Sequence, residues 1–127
     1  MEGYLEALAA RGDYAQFFTD DVTLSIEGAE QHAAGREAVE QTIRWMHEDA
    51  FDAHPEMKSL VVGKSNAAVE ADFVGTHTGE FAGIPATGCR VRVPYSVAYD
   101  LDGNAIRALR IYLPMDELYR QLRRKRP

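Results

Sequence analysis

Arg90-Val91-Arg92-Val93-Pro94-Tyr95-Ser96-Val97-Ala98-Tyr99-Asp100-Leu101, then Asp102-Gly103, then Ile106-Arg107-Ala108-Leu109-Arg110-Ile111-Tyr112-Leu113 is the stretch that decides the fold. Its apolar residues recur at every second position, the period of a strand with one buried face. Val91, Val93, Tyr95, Val97 and Tyr99 share one face, and Leu109, Ile111 and Leu113 share the matching face of the next strand. Asp-Gly between two such runs is a hairpin signal, because glycine accepts the positive φ of a tight turn. Upstream, Ala67 to His77 repeats the pattern, with Val69, Ala71, Phe73, Gly75 and His77 on the apolar side and Glu70 and Asp72 opposite. Leu60-Val61-Val62 reads as a short strand before it, and Gly79 to Gly88 as a loop after it.

The first half has a different period. Residues 2–11 are rich in helix formers and end at Gly12, a plausible C-cap. Asp13 to Phe18 reads as a second short helix, and Val22 to Ile26 as a strand. Gly28 to Gly35 reads as a loop, which would hold His32, and Pro55 closes the region, with His54 in a loop. Arg36 to Phe51 is the clearest helix, with Val39, Ile43, Met46 and Ala50 on one stripe. A last helix follows Pro114, with Met115, Leu118 and Leu122 as its apolar face. Helices first, then antiparallel strands, then one helix predicts an α+β fold whose helices cover one face of a curved sheet. The long helix is expected across the concave face, enclosing a pocket unless large side chains fill it. The other face offers Glu70 and Asp72 against Arg90, Arg92 and Arg110, which reads as cross-strand charge pairing and less readily as acid–base chemistry.

Composition narrows the function classes. The chain has 127 residues, 46% of them hydrophobic and 27% charged, which is expected to form one domain, 1–127. One cysteine, Cys89, excludes an internal disulfide framework and any cage of several thiolates. No apolar run approaches the roughly 18 residues of a membrane span. The start, Met1-Glu2-Gly3-Tyr4, lacks the basic and apolar pattern of a secretion signal, so a cytoplasmic location is expected. The net charge of −6 is unevenly spread. Nine of the 14 basic residues and all 20 acidic ones lie in 1–119, a net −11, while Arg120, Arg123, Arg124, Lys125 and Arg126 give the last eight positions +5. An acidic body disfavours nucleic acid and anionic membranes as partners. The basic run suits the C-terminal end of a helix, where cations complement the dipole.

Several stretches resemble a known family. Tyr4-Leu5-Glu6-Ala7-Leu8, Phe17-Phe18-Thr19-Asp20-Asp21-Val22 and Gly35-Arg36-Glu37-Ala38-Val39 resemble the start of nuclear-transport-factor-2-like cone proteins. The run from Gly75-Thr76-His77-Thr78-Gly79 through Ile84-Pro85-Ala86-Thr87-Gly88 resembles the central motif of their SnoaL-like polyketide cyclase branch. Arg110-Ile111-Tyr112-Leu113 and Leu118-Tyr119-Arg120-Gln121-Leu122 resemble its C-terminal end. The resemblance implies a cone: a curved antiparallel sheet wrapped around N-terminal helices and one long helix, with a C-terminal helix. It also implies a homodimer through the sheet face, and cofactor-independent chemistry with a pocket carboxylate as acid–base group. That carboxylate is missing here. The last-strand positions that would carry it hold Leu109, Arg110 and Ile111, or Tyr112, Leu113 and Pro114. The steroid isomerase branch places a tyrosine on the first helix and two aspartates on strands. Tyr4 matches the first, while Ile26 and Val97 occupy the other two.

The remaining candidates are fewer. His77 lies on the inward side of its strand beside the loop, as an acid–base group or as a structural histidine bonding that loop. Tyr95 and Tyr99 point inward four residues apart, to polarise a ligand oxygen or to pack as core aromatics. Tyr4, Ile26, Trp45, His47, Phe73, Val97 and Ile111 complete the expected pocket, although His47, at the flank of its helix, is at a position that more often faces solvent. Spacing offers no metal set, and no cofactor motif is present. Two functions follow: a cofactor-independent cyclase, isomerase or hydratase acting on a small apolar carbonyl compound, or a non-catalytic module that binds a hydrophobic metabolite or serves as a dimeric scaffold.

Overall fold

The computed structural model describes residues 1–29 and 32–123. In chain order it contains α1 (Glu2–Ala9), a 3-10 turn (Tyr14–Phe17), β1 (Phe18–Ile26), β2 (His32–Ala34), α2 (Arg36–Arg44), a π-helical turn (Trp45–Asp49), β3 (Phe51–Val62), β4 (Asn66–His77), β5 (Arg90–Asp102), β6 (Ala105–Tyr112) and α3 (Met115–Leu122). The strands form one sheet in the order β2-β1-β6-β5-β4-β3. This is the α+β architecture expected from the change of period, with two corrections. β1 runs parallel to β6, so the sheet is mixed. The expected 36–51 helix is also shorter: the α-helix stops at Arg44, a single π turn carries the chain to Asp49, and Phe51 already belongs to a strand.

That strand was hidden by Pro55. A proline lacks the N–H of the ladder and is tolerated on an edge strand, where one row of backbone groups faces away from the sheet. β3 is such an edge, and Pro55 sits in register with Phe73. His54 and His32, expected in loops, are therefore strand residues. The hairpin between β5 and β6 turns at Gly103, with φ +62°.

Strand parity places the core. Val69, Ala71, Phe73, Gly75 and His77 of β4 are buried, as are Val91, Val93, Val97 and Tyr99 of β5, with Tyr95 half-buried among them. Tyr4 from α1 enters this layer edge-on, its ring 6.0 Å from that of Tyr99 and 5.6 Å from that of Phe18. Val39, Ile43 and Met46 cover the sheet from above. At Gly75 the β3 backbone comes so close that an added Cβ would lie 2.6 Å from Ala53, so a side chain cannot be accommodated. On the opposite face Arg92 bridges Glu56 and Asp72, each at 2.9 Å, and Arg110 grips Asp100 through two hydrogen bonds of 2.9 and 3.0 Å. Solvent screens these exposed pairs, so they add little to stability.

α3 completes the sheet where a strand ends early. β6 pairs with β5 no further than Ser96, which leaves the Arg90–Tyr95 segment with an open edge. Gln121 fills it as a short surrogate strand. Its Oε1 accepts from the Arg92 N–H and its Nε2 donates to the Arg92 carbonyl, both at 2.9 Å. Arg120, the first of the C-terminal basic residues, pairs with Glu117 at 2.6 Å. Most of the basic run, 124–127, lies outside the described residues. No described helix is long and apolar enough to cross a membrane.

Candidate functional site

Between the helices and the sheet lies a small cavity of about 50 Å³. Leu24 and Ile26 reach it from β1, Thr42 and Ile43 from α2, and Met46 and His47 from the π turn. Phe73, Tyr95, Ile111 and Leu113 close it from the sheet side. The surface that these side chains turn to the cavity is apolar. The Thr42 hydroxyl is spent on the Ala38 carbonyl, at 2.9 Å. His47 and Tyr95 are the other two polar side chains in its wall.

His47 owes its orientation to the helix. Its Nδ1 lies 2.8 Å from the Ile43 carbonyl one turn back. A carbonyl oxygen accepts and never donates, so Nδ1 carries the proton and Nε2 carries the lone pair. Nε2 is buried and has no hydrogen-bond partner. The ring stands edge-on to Phe73, with centroids 5.6 Å apart. Burial holds its pKa below the ordinary histidine value, against the opposing pull of the Ile43 carbonyl. Arg11 steadies the end of this turn by donating to the His47 carbonyl at 3.2 Å, to Asp52 at 2.7 Å and to the Ala53 carbonyl at 3.1 Å. Tyr95 is half-buried, its ring edge-on to Phe73 with centroids 6.4 Å apart. Burial alone pushes its phenol up to about 12, so it remains a proton donor at neutral pH.

Five of the ten residues expected at the site line this cavity: Ile26, His47, Phe73, Tyr95 and Ile111. The other five do not. Val97 is buried in the sheet's core face away from it. Tyr4 and Tyr99 belong to an aromatic cluster with Tyr14, Phe17 and Phe18. Burial lifts both of their phenols far above the usual range, the two hydroxyls reinforcing this for Tyr4. Trp45 stacks on Phe81 at 5.7 Å and faces a separate surface groove of about 310 Å³, shared with Met115 and Tyr119.

His77 is wholly buried and lies apart from the cavity lining. Its Nδ1 receives the Thr87 N–H at 3.2 Å and contacts the Thr87 hydroxyl at 2.9 Å. An atom that accepts a backbone N–H has no proton of its own, so His77 carries its hydrogen on Nε2, the opposite tautomer to His47. The ring thus fastens the 79–88 loop to the end of β4, which is the structural reading of this residue. His47, which its flank position on the helix had pointed towards solvent, is half-buried, with its Nε2 closed off from solvent. Leu24, Thr42, Ile43, Met46 and Leu113 also line the cavity and were not expected at the site. Leu24 and Leu113 stand two residues from Ile26 and Ile111, and Ile43 four before His47, so face-sharing periodicity was the signal that identifies them. Among the described residues no three His, Cys, Asp or Glu side chains converge as metal ligands.

Comparison with solved structures shows the same fold. A protein from Jannaschia sp. CCS1 assigned as a SnoaL-like polyketide cyclase superposes with a TM-score of 0.84 at 17% identity, covering 98% of this chain and 92% of that one. AclR from Streptomyces galilaeus, assigned as a hydroxylase, gives 0.76 at 19% identity, with 94% and 89% covered. A protein from Catenulispora acidiphila with a ketosteroid isomerase-like fold, solved with trimethylamine, gives 0.74 at 16% identity, with 93% and 90% covered. No curated protein matches the chain. Residues 5–122, nearly the whole length, match the family described as SnoaL-like polyketide cyclase, and the chain belongs to that family.

Proposed function

We propose that the cavity binds a small apolar carbonyl compound and activates it without a cofactor, in an isomerisation, cyclisation or hydration. The observation that carries this reading is an enclosed cavity whose exposed wall is apolar, with the His47 and Tyr95 side chains among those that line it. The size of the cavity favours a ligand of few heavy atoms, or the small reactive end of a longer one. Membership of the cyclase family supports carbonyl chemistry, and the trimethylamine in the Catenulispora protein is of comparable size. The second reading, binding without turnover, is favoured by the absence of any carboxylate from the cavity lining.

The test uses acetone and butanone as probes, with binding followed by saturation-transfer NMR. Both are expected to bind. Ile111→Phe, which fills the cavity, is expected to abolish binding. Equal binding by the wild-type and filled proteins would overturn the reading.

A further inference from the structure

We propose that the surface groove beside α3 binds a small, flat aromatic anion, at a site distinct from the carbonyl-binding cavity. Its volume is about 310 Å³, at the small end of ligand sites. Trp45, Phe81 and Tyr119 line it as a group of rings, and Ala29, Ala82 and Met115 add apolar wall. Of its lining residues Ile26 alone also lines the cavity. The rings come from three parts of the chain: the π turn, the 79–88 loop and α3. Phe81 joins them, with its centroid 5.7 Å from that of Trp45 at 27° and 6.2 Å from that of Tyr119 at 39°.

Two features choose the occupant. Trp45, Met115 and Tyr119 are only half-buried, so the groove keeps aromatic and thioether surface in water. A planar ring laid on that surface removes it from water and finds aromatic faces and edges to pack against. The charge comes from Arg123. Its guanidinium lies over the Tyr119 ring, 5.6 Å from the centroid, and the residue is exposed. Arg120, one turn earlier, is committed to Glu117, whereas among the described residues no carboxylate pairs with Arg123.

A cation could also use such rings, through the negative face of their π systems. The Tyr119 ring, however, already carries the Arg123 guanidinium, and a second positive charge there would be repelled. A carboxylate on the ligand is attracted instead, and a planar guanidinium can meet it with two parallel N–H donors. The ligand class is therefore a small arene bearing a carboxylate.

The protein has one tryptophan, so the indole N–H of Trp45 gives one signal in nitrogen-15 NMR and reports on the groove directly. The probes are naphthoate, naphthylmethanol and naphthylmethylamine, which share a ring system and differ in charge. Naphthoate is expected to shift the Trp45 signal saturably and to bind about 2- to 5-fold more tightly than the alcohol, the range of an exposed ion pair, with the amine weakest. Arg123→Gln, a change at an exposed position, is expected to bind the acid and the alcohol equally. It keeps Arg124, Lys125 and Arg126, so a diffuse pull from the basic run would leave the preference for the acid in place. Butanone, the probe of the cavity, is expected to leave the affinity for naphthoate unchanged. A Trp45 signal unmoved by every probe would overturn the groove as a binding site. Equal affinity of the wild type for the acid and the alcohol, tighter binding of the amine, or a preference for the acid that survives in Arg123→Gln would overturn its selectivity for an anion through Arg123. Competition between butanone and naphthoate would overturn its separation from the cavity, and failure of butanone to bind at all would touch only the carbonyl-binding reading.

Discussion

Single residues in this protein are held in place by what their backbone can and cannot do. Among the described residues Ala82 is one of two non-glycines with positive φ, at +51°, directly before Gly83 at +80°. Together they turn the loop tip so that Phe81 and Ile84 exchange backbone hydrogen bonds of 3.0 and 2.8 Å. Phe81 is thereby pressed against Trp45, Phe51 and Tyr119. A left-handed conformation costs an L-residue with a Cβ roughly 1–2 kcal/mol, while glycine adopts it freely but has more unfolded-state entropy to lose. Ala82→Gly is therefore expected to stabilise the fold by about 0.5–1 kcal/mol, the difference between these terms. Urea unfolding would show it as a higher midpoint at unchanged slope, and a lower midpoint would count against the strain. The same logic of local geometry separates the two buried histidines. Identical side chains in one small protein carry opposite tautomers, because one faces a carbonyl and the other an N–H.

At the scale of elements, the weak point is the β5 edge that α3 covers. Gln121→Ala would leave the Arg92 N–H and carbonyl without their 2.9 Å partners. Leaving such groups unmatched costs about 1–3 kcal/mol, less where water can enter. The expected result is a loss in that range, with amide exchange at Arg92 accelerated more than at Val97, which is paired on both sides. Uniform acceleration along β5 would show that α3 holds by its apolar face alone. These elements also show what could be read from the chain beforehand. The alternation in β4, β5 and β6 was legible because each has one wet and one dry face, and the Asp-Gly turn fixed their pairing. β3 was not, since its first half carries Asp52, His54, Pro55 and Glu56, a composition that an edge strand tolerates and that period alone cannot separate from a loop. The π turn was equally invisible, because the stripe Val39, Ile43, Met46, Ala50 fits an unbroken helix. The cavity followed from parity on the strands, which identified Phe73, Tyr95 and Ile111. The placement of His47 depended on a side-chain-to-carbonyl bond that no periodicity encodes.

At the scale of the whole molecule, the two histidines tie stability to pH. Burial lowers the pKa of both His47 and His77 below the ordinary value of about 6.5 that they take in the unfolded chain. Between the folded and unfolded values the unfolded state binds more protons, so stability rises with pH there. It is fully present above about pH 6.5 and falls as the pH drops below that, until the folded histidines themselves protonate. Protonation of His77 carries an added structural cost, since a hydrogen on Nδ1 would confront the Thr87 N–H and release the 79–88 loop. The paired carboxylates act lower on the scale. Arg92 holds Glu56 down, Lys58 and Arg92 hold Asp72 down, and Arg110 holds Asp100 down, so their contribution is present above the ordinary carboxylate range and is lost as the pH falls through the lowered values. The expected profile has two descending steps: the histidine step beginning near pH 6.5, and a shallower one below about pH 4 from screened surface pairs. Salt separates them, because added salt should flatten the acidic step and leave the buried histidine step in place. The measurement is the urea midpoint between about pH 5 and 8 for the wild type and for His47→Gln. The variant should retain a smaller histidine step, the part due to His77. A wild-type midpoint that stays level across that interval would mean that the two imidazoles are as easily protonated inside the fold as outside it.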